Sequence, residues 1–376
     1  MRSKDKILLI LSVPPPFGGG ELRAKLMADY FAKEDDFLVI ENSNKSKNKS
    51  NQGKLLISNV VINIGYILRN IWTIIKVRPT VVYLSIPKKF IPLLKIVPVL
   101  MFTKLFGGKI IGELAGRNFY FLEQKGISYK LGLYIIKKFD SIRILGNTVD
   151  KTLSKYGLSS NTVLDNGVDI PNQKDNKVKT LRNQKLRLGF VGALHKNKGI
   201  FILVEIAKNL VDQGVDFELI IAGEWENSDD KLKVEKLLNE YQLHQKVKFL
   251  GLIHNEDKWN FYKGLDVFLL PSYNEGQPLV LIEAMAFGIP VVCSGVGAIP
   301  DTVISGHNGF IIDNFSTSEY VIKIKKLLGD KKLYSTISSN NLNTFAKRFR
   351  VEDYLQNIHN WINSNSKIKC SNSHKN

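Results

Sequence analysis

The chain has 376 residues, more than one ordinary hydrophobic core organises, and this length predicts two domains of typical size. Its composition, 44% hydrophobic and 23% charged with no run of 18 or more apolar residues, excludes a membrane-spanning helix and indicates a soluble globular protein. The net charge of +18 is concentrated in residues 1–150, which contain 24 Lys and Arg but only 11 Asp and Glu. This excess predicts attraction to phosphates, nucleic acid or anionic membrane. Compositional drift is the alternative explanation.

The first twenty residues, MRSKDKILLILSVPPPFGGG, superficially resemble a signal peptide, with a basic start and a short apolar stretch. The apolar part is only about one strand long, and three prolines follow it instead of a small-residue cleavage site. This segment is therefore predicted to be the first β-strand. The two cysteines, Cys293 and Cys370, give no disulfide framework and fit a reducing cytoplasm.

Short β-branched runs then alternate with longer amphipathic stretches along the whole chain, which predicts an α/β fold of two doubly wound parallel sheets. The first sheet is expected from KILLIL, TVVYLS, GKIIGE and SIRILG, and the second from LRLGFVG, FELIIAG, KVKFLG, DVFLLP, PVVCSG and GFIIDN. The polar stretch NQKDNKVKTLRNQK between them is predicted to be a linker. These patterns predict one domain over residues 1–170, a second over 171–349, a helix near 350–364 and a disordered tail at 365–376.

The loop PPPFGGGELRAKL follows the first strand and is a candidate anion site. Its glycines let the backbone approach a ligand closely, and a helix N-terminus behind them favours an anion. The dinucleotide fingerprint G-x-G-x-x-G fails because Arg23 stands where the third glycine belongs, which disfavours a nicotinamide dehydrogenase. A flexible strand-to-helix turn is the alternative.

The loop GFVGALHKNKGIF follows the first strand of the second half. Lys198 and Gly199 open a helix there, so that an ammonium group beside free backbone N–H groups is placed to neutralise a diphosphate. A solvated lysine in a turn explains the same residues equally well.

The segment NEGQPLVLIEAMAFGIPVV carries two glutamates eight positions apart, around a predicted helix start at Pro278. Glu275 is expected in the loop before the helix and Glu283 inside it, with Gly288 ending the helix. Glu283 suits ribose hydroxyls, N–H groups of the first turn suit a diphosphate, and Glu275 suits a hexose. The pairing predicts a nucleotide sugar; a surface helix with an incidental glutamate is the alternative. The later loop CSGVGAIPDTVISGHNGF is expected to shape the pocket wall.

These motifs together resemble the retaining glycosyltransferases of family 4, whose fold is called GT-B. The resemblance rests on the glutamate segment, Lys198-Gly199, NGVD and GGGE, and runs from about Ser12 to Phe310. It implies two Rossmann-like domains facing across a cleft, a nucleotide-diphosphate sugar donor, no essential metal, and transfer with retention of configuration. It also implies that the helix near 350–364 packs back on the N-terminal, acceptor-binding domain.

The resemblance assigns catalytic roles to Lys198 and Glu275, with Lys198 on the diphosphate, Glu275 on the donor sugar and Glu283 on the ribose. Backbone groups around the helix start complete the phosphate site, and two glycines of the first loop face it: Gly276, Gln277, Pro278, Leu279, Gly19 and Gly20.

Two positions depart from the family pattern. Ala193 stands where arginine is usual, and Ala115 stands where a histidine commonly precedes glycine. His195 or Arg117 is a candidate replacement for the missing phosphate or sugar contact. The departures leave open a catalytically altered nucleotide-sugar-binding protein.

Rival functions explain fewer of these residues. A glycosidase needs two carboxylates that lie about 5–10 Å apart and flank one glycosidic bond. Here the predicted N-terminus of a helix, which favours an anion such as phosphate, lies between the two glutamates. A nucleic-acid-binding protein would explain only the charge, since no zinc spacing, helix-turn-helix pattern or aromatic RNA-binding strand occurs, and we expect no nucleic-acid partner.

The segment KKFIPLLKIVPVLMFTKLFGGK is too short and too broken by charge and proline to span a bilayer. It is expected either to lie in the headgroup layer, with Lys88, Lys89, Lys95 and Lys104 facing lipid, or to be a buried helix of the first domain. The resemblance implies a glycan acceptor, lipid-linked and used in bacterial surface-polysaccharide assembly, and together with the basic charge it predicts an enzyme peripheral at the inner face of the plasma membrane.

Overall fold

A computed structural model describes residues 6–15, 18–43, 57–117, 119–123, 126–159, 161–171, 177–181 and 185–366, with the side chains of 57–61 excepted. The expected linker lies partly outside these residues. Of the expected disordered tail, residues 367–376 lie outside them. The last helix includes residues 365 and 366, which the sequence assigned to that tail.

The chain divides into an N-terminal unit, Met1–Leu164 with Tyr354–Asn376, and a C-terminal unit, Asp165–Asp353. The division falls six residues before the boundary expected after residue 170. The reason is that Asn166 donates its backbone N–H to Gln277 Oε1 at 2.6 Å, and Val168 donates to the carbonyl of Phe349 at 2.9 Å. The NGVD motif therefore belongs to the C-terminal unit.

The N-terminal unit contains a six-stranded parallel sheet in the order β2-β1-β3-β4-β5-β6. The strands are β1 Ile7–Val13, β2 Phe37–Ser43, β3 Val81–Ser85, β4 Lys109–Glu113, β5 Ser141–Ile144 and β6 Asn161–Val163. The helices are α1 Gly19–Phe31, α2 Ile57–Val77, α3 Phe90–Leu94, α4 Val97–Leu105, α5 Ile127–Ile136 and α6 Asn147–Ser154. The strand order reverses between β1 and β3, and a crevice is expected at the carboxyl ends of strands flanking such a reversal.

The C-terminal unit contains a second six-stranded parallel sheet in the order β12-β11-β10-β7-β8-β9. The strands are β7 Leu186–Val191, β8 Phe217–Ala222, β9 Val247–Gly251, β10 Val267–Leu270, β11 Val291–Ser294 and β12 Gly309–Ile312. The helices are α7 Ile200–Asp212, α8 Ser228–Glu240, α9 Asn255–Gly264, α10 Leu279–Ala286, α11 Ile299–Thr302, α12 Thr317–Gly329 and α13 Lys331–Arg348. The reversal here lies between β7 and β10, whose following loops carry the lysine and the first glutamate.

The last helix, α14 (Val351–Ser366), packs from Tyr354 onward against the sheet of the N-terminal unit. Its apolar side chains recur at helical spacing and meet α1, β1 and β3 in one core: Tyr354, Ile358, Trp361 and Ile362. Trp361 also donates its indole N–H to Ser141 Oγ at 3.0 Å, which satisfies that polar group inside the core.

A buried charge cluster lies under this helix. Glu113 at the end of β4 accepts from Arg23 Nη2 of α1 and from Arg143 Nη1 of β5, each at 2.6 Å, and all three side chains are at most 4% exposed. The ring of Tyr354 lies 5.2 Å from the Arg143 guanidinium carbon. Burial alone would raise the pKa of Glu113, but the two guanidinium groups outweigh it and lower the pKa to about 2. Arg23, which breaks the dinucleotide fingerprint, therefore has a structural partner.

We predict that Glu113→Gln destabilises the protein by about 3–5 kcal/mol, because it leaves two buried guanidinium groups without their counter-charge. The pKa of Glu113 is lower in the folded state than its ordinary value of 4.5, so its stabilisation is present above pH 4.5 and is lost as the pH falls toward 2. Urea unfolding at neutral pH measures the difference, with Glu34→Gln, an exposed glutamate of the same unit, as the control. Equal stability of the two variants would contradict this role.

Candidate functional site

The loops that follow β7 and β10 touch each other through their backbones. Tyr273 donates its N–H to the carbonyl of Asn197 at 2.9 Å. Gly199 has a φ of +79°, and a Cβ placed there would lie 2.1 Å from the carbonyl oxygen of Pro271. Only glycine allows this approach without displacing the backbone. The two loops at the strand-order reversal are therefore held in a fixed relation.

This contact brings together the two residues to which the sequence assigns catalytic roles. Lys198 Nζ donates to Glu275 Oε1 at 2.6 Å, with the lysine side chain 29% exposed and the glutamate side chain 8% exposed. An ammonium group has three donors, so Lys198 can hold Glu275 and still donate to an anion on its exposed side. The pair is therefore a charged and partly accessible part of the candidate site.

Glu283 lies on α10 and is 3% exposed. Its Oε1 accepts from Lys258 Nζ at 2.5 Å and its Oε2 accepts from the hydroxyl of Tyr262 at 2.8 Å. Burial and, after it, the neighbouring Glu283 charge raise the pKa of Tyr262 well above its usual value, so the phenol stays a donor. Sequence reasoning missed both partners, which come from α9, a helix more than twenty residues upstream.

The helix start between the glutamates is close to the expected one. Helix α10 begins at Leu279, with Pro278 as its N-cap instead of its first residue, and Gly288 follows the helix at a φ of +65°. Leu281 and Ile282 donate their N–H groups to the carbonyl of Pro278 at 3.2 and 3.4 Å, so the N–H groups of Leu279 and Val280 are the ones that a helix N-terminus leaves without an intrahelical partner. They remain the group expected to meet a diphosphate.

Gln277 has a structural role that the sequence did not predict. Its side-chain amide, 4% exposed, bonds the backbone of Asn166 at 2.6 Å, Asp165 Oδ1 at 2.7 Å and Thr302 Oγ1 at 3.1 Å. The N–H of Asn166 and the side chain of Asp165 lie more than 100 positions away, so no local pattern reveals them. The loop that precedes α10 is thereby attached to the NGVD segment and to α11.

The loop after β11 packs against the same segment, and its expected role in shaping a pocket wall stays a prediction. Ala298 donates its N–H to the carbonyl of Gly276 at 2.8 Å. A Cβ at Gly297, whose φ is +61°, would lie 2.0 Å from the carbonyl oxygen of Glu275. These contacts fix the backbone on which Glu275 and Gly276 stand.

The remaining predicted residues lie in two places. His195 precedes Lys198 in the loop after β7, and its Nε2 lies 3.6 Å from Glu226 Oε2. Gly19 and Gly20 begin α1 in the N-terminal unit, and the exposed Arg117 of that unit lies 3.5 Å from Glu123. Their contacts with a ligand stay predictions, as do the ligand roles of the other site residues.

The N-terminal unit has a cavity of about 350 Å³ at the carboxyl ends of β1 and β3, where its strand order reverses. Hydroxyl and amide side chains alternate there with aliphatic ones. Asn70, 5% exposed, has a side-chain oxygen without a hydrogen-bond partner among the described residues. The polar lining includes Ser12, Asn42, Asn63, Tyr66, Asn70 and Ser85. Amide and hydroxyl groups at this density suit a hydroxyl-rich ligand.

Residues 171–344, which cover most of the C-terminal unit, match the family model described as glycosyl transferases group 1. CapM of Staphylococcus aureus, a capsular polysaccharide biosynthesis glycosyltransferase, is 30% identical over 210 residues, which are 55% of this chain and 53% of CapM. The chain therefore spans about half the length of that curated relative.

Solved structures show the fold. Anabaena HepE, solved in complex with UDP, matches 96% of this chain and 100% of its own, with a TM-score of 0.74 and 18% identity. Sucrose-phosphate synthase from Thermosynechococcus elongatus matches 96% of this chain and 98% of its own, with a TM-score of 0.75 and 16% identity. Two six-stranded parallel sheets with these neighbours confirm the predicted GT-B class of fold.

We predict that Gly199→Ala destabilises the protein more than Gly214→Ala. Both glycines have a positive φ, +79° and +68°, so both variants incur a left-handed strain of about 1–2 kcal/mol. Only at Gly199 does the new methyl group meet a backbone carbonyl, whereas at Gly214 nothing lies within 4 Å. Thermal unfolding of the two variants measures the difference, and equal losses would contradict the close approach of the two loops.

Proposed function

We propose that this protein is a retaining hexosyltransferase of glycosyltransferase family 4, which moves a sugar from a nucleotide diphosphate to a glycan acceptor. The observation that carries the proposal is the Lys198–Glu275 pair, 2.6 Å apart, beside the start of α10 at the strand-order reversal of the C-terminal unit. A cation and free helix N–H groups suit a diphosphate, and the neighbouring carboxylate suits sugar hydroxyls. The similarity to CapM supports a role in surface-polysaccharide assembly.

The donor would bind with its diphosphate between Lys198 and the backbone N–H groups of Gly276, Gln277 and Leu279. Glu283 would accept from the ribose hydroxyls. Each of its oxygens has one protein donor in the structure, and an ionised carboxylate offers about four acceptor sites, so acceptor capacity is left for a ribose. Lys258 and Tyr262 would then act as positioning residues that orient the carboxylate.

Transfer would proceed on one face of the sugar ring. The bond between the anomeric carbon and the phosphate oxygen breaks, and a bond to the acceptor oxygen forms on the same face. The acceptor proton passes to the departing phosphate, whose charge Lys198 and the helix N–H groups stabilise. No side chain of the site is assigned as a covalent nucleophile.

The acceptor would bind in the cavity of the N-terminal unit, whose Asn and Ser side chains suit carbohydrate hydroxyls. We propose a lipid-linked glycan as acceptor and a cytoplasmic enzyme peripheral at the inner face of the plasma membrane. The basic excess of residues 1–150 supports this, at about 1 kcal/mol for each basic group close to an anionic surface.

The direct test is release of free nucleoside diphosphate when donor and acceptor are both present. A thermal-shift screen of nucleotide sugars first selects the donor, and extracted lipid-linked glycans then serve as acceptors. Release that requires both substrates supports transfer, and NMR of the product's anomeric centre tests retention. Donor binding without release would instead indicate a catalytically altered binding protein.

We predict that Glu283→Ala raises the dissociation constant of the donor at least tenfold, because hydrogen bonds to an ionised group contribute about 1.5–3 kcal/mol. Calorimetry with the selected donor measures it. Glu240→Ala is the matched control: it removes an exposed glutamate at the end of α8 in the same unit, and it should change donor binding by less than about threefold. If both variants lose the donor equally, the loss comes from the fold and the ribose assignment fails.

We predict that transfer persists in the presence of a chelator, since Lys198 and the helix N–H groups supply the positive charge near the leaving diphosphate. Among the described residues, no cluster of three or more His, Cys, Asp or Glu side chains could hold a metal ion. Initial rates with and without EDTA measure this dependence. Activity that EDTA abolishes and that magnesium or manganese restores would contradict the metal-free mechanism.

A further inference from the structure

Helix α2 exposes an apolar stripe that the fold does not use. Ile64, Leu68, Trp72 and Ile75 are 51%, 61%, 61% and 43% exposed. Their spacing of four, four and three residues places them on one face of the helix. A tryptophan in the middle of such a stripe is costly to leave in water, so the stripe indicates a surface that meets a partner.

The opposite face of α2 holds the helix in the unit without the stripe. Asn70, Thr73 and Ile74 are at most 8% exposed, and Tyr66 donates its hydroxyl to the carbonyl of Ser43 at 2.5 Å. The apolar stripe can therefore be changed to polar residues without removing packing that the fold needs.

The neighbouring helices α3 and α4 extend the apolar surface. Helix α4 packs beside α2, and both short helices bury one face through Leu93, Val99 and Leu100. Their outer side chains are exposed by 39–73%: Ile91, Leu94, Met101 and Leu105. The two expectations for residues 88–109 were a headgroup-layer segment or a buried helix, and the segment has features of both. The eight exposed side chains of α2, α3 and α4 are called here the apolar face.

The sequence segment that carries this face has charge of one sign, although Asp140 from outside the segment pairs with Lys104 of α4 at 2.6 Å. The 71 residues from Asn42 to Gly112 contain twelve Lys and Arg and no Asp or Glu. Lys76 Nζ lies 4.9 Å from the ring centre of Trp72, so a cation accompanies the central tryptophan. Within the described part of the chain, no helix is both long and apolar enough to cross a bilayer. Apolar side chains rimmed by cations are typical of a surface that lies in the headgroup layer.

We infer that the apolar face docks this protein on an anionic lipid bilayer, with α2 as its principal element. This rests on the proposed function in one respect, the lipid-linked acceptor. Anionic lipid is favoured over a second copy of the chain, because two such faces would bring cations of the same sign together. The stripe on α2 adds a docking element to the lysine-flanked segment that the sequence indicated.

The test is co-sedimentation of the full-length chain with vesicles of equal parts phosphatidylglycerol and phosphatidylcholine, at low salt. We expect Leu68→Gln/Trp72→Gln to weaken binding at least tenfold. The matched control is Leu232→Gln/Ile322→Gln, which changes two exposed apolar residues of the C-terminal unit, 69% and 58% exposed, and should bind like the wild type.

A second pair of variants tests the charge. Lys76→Gln/Lys89→Gln should weaken vesicle binding about fivefold for each lysine, the equivalent of about 1 kcal/mol. The control, Lys233→Gln/Lys236→Gln on α8, should bind the vesicles like the wild type. Pure phosphatidylcholine vesicles and high salt should reduce binding by the wild type.

Three results would overturn the inference: no binding by the wild type, equal losses in the control variants, or a dimer that the stripe variant disperses without any change in vesicle binding. Donor binding, measured on the same variants, distinguishes failure of the membrane-docking inference from failure of the proposed function. The vesicle variants should bind donor like the wild type, whereas Glu283→Ala should lose the donor and still bind vesicles.

Discussion

The close backbone approach of the loops after β7 and β10 is the constraint on which the candidate site depends. Gly199 must sit against the carbonyl of Pro271, and Tyr273 must reach Asn197, before Lys198 can meet Glu275 at 2.6 Å. The parallel sheet supplies the coarse placement, because both loops leave its carboxyl edge at the strand-order reversal. Glycine supplies the fine placement, because any side chain at position 199 would separate the loops.

The same principle of backbone-level contact recurs around α10. Gly297 touches the Glu275 carbonyl, and the buried amide of Gln277 bonds the backbone of Asn166. Glu283 is held by donors on both oxygens. The charged residues of the site thus stand on segments that have little freedom, and such preorganisation lets charge act on a bound phosphate without reorganisation at the moment of reaction.

Sequence patterns were sufficient for the features that depend on local periodicity. The alternation of strands and helices predicted both sheets, and the sequence placed Lys198 and Glu275 in loops outside the strands, where the structure has them. Patterns could not reveal Lys258 and Tyr262, because their contact with Glu283 arises from the packing of α9 on α10. The domain boundary was missed for the same reason, since Asn166 is assigned by hydrogen bonds to a residue 111 positions away.

The apolar stripe of α2 was not predicted, for a different reason. The helix is amphipathic, and its sequence does not show which of its faces the fold leaves exposed. Here one face covers the cavity through Tyr66 and Asn70, while the other exposes Leu68 and Trp72. One helix therefore separates a cavity lined by mixed polar and aliphatic side chains from an exposed apolar surface. The acceptor proposed above, with a sugar at one end and a lipid at the other, has a similar division of polarity, and α2 would give each part a matching face within a single unit.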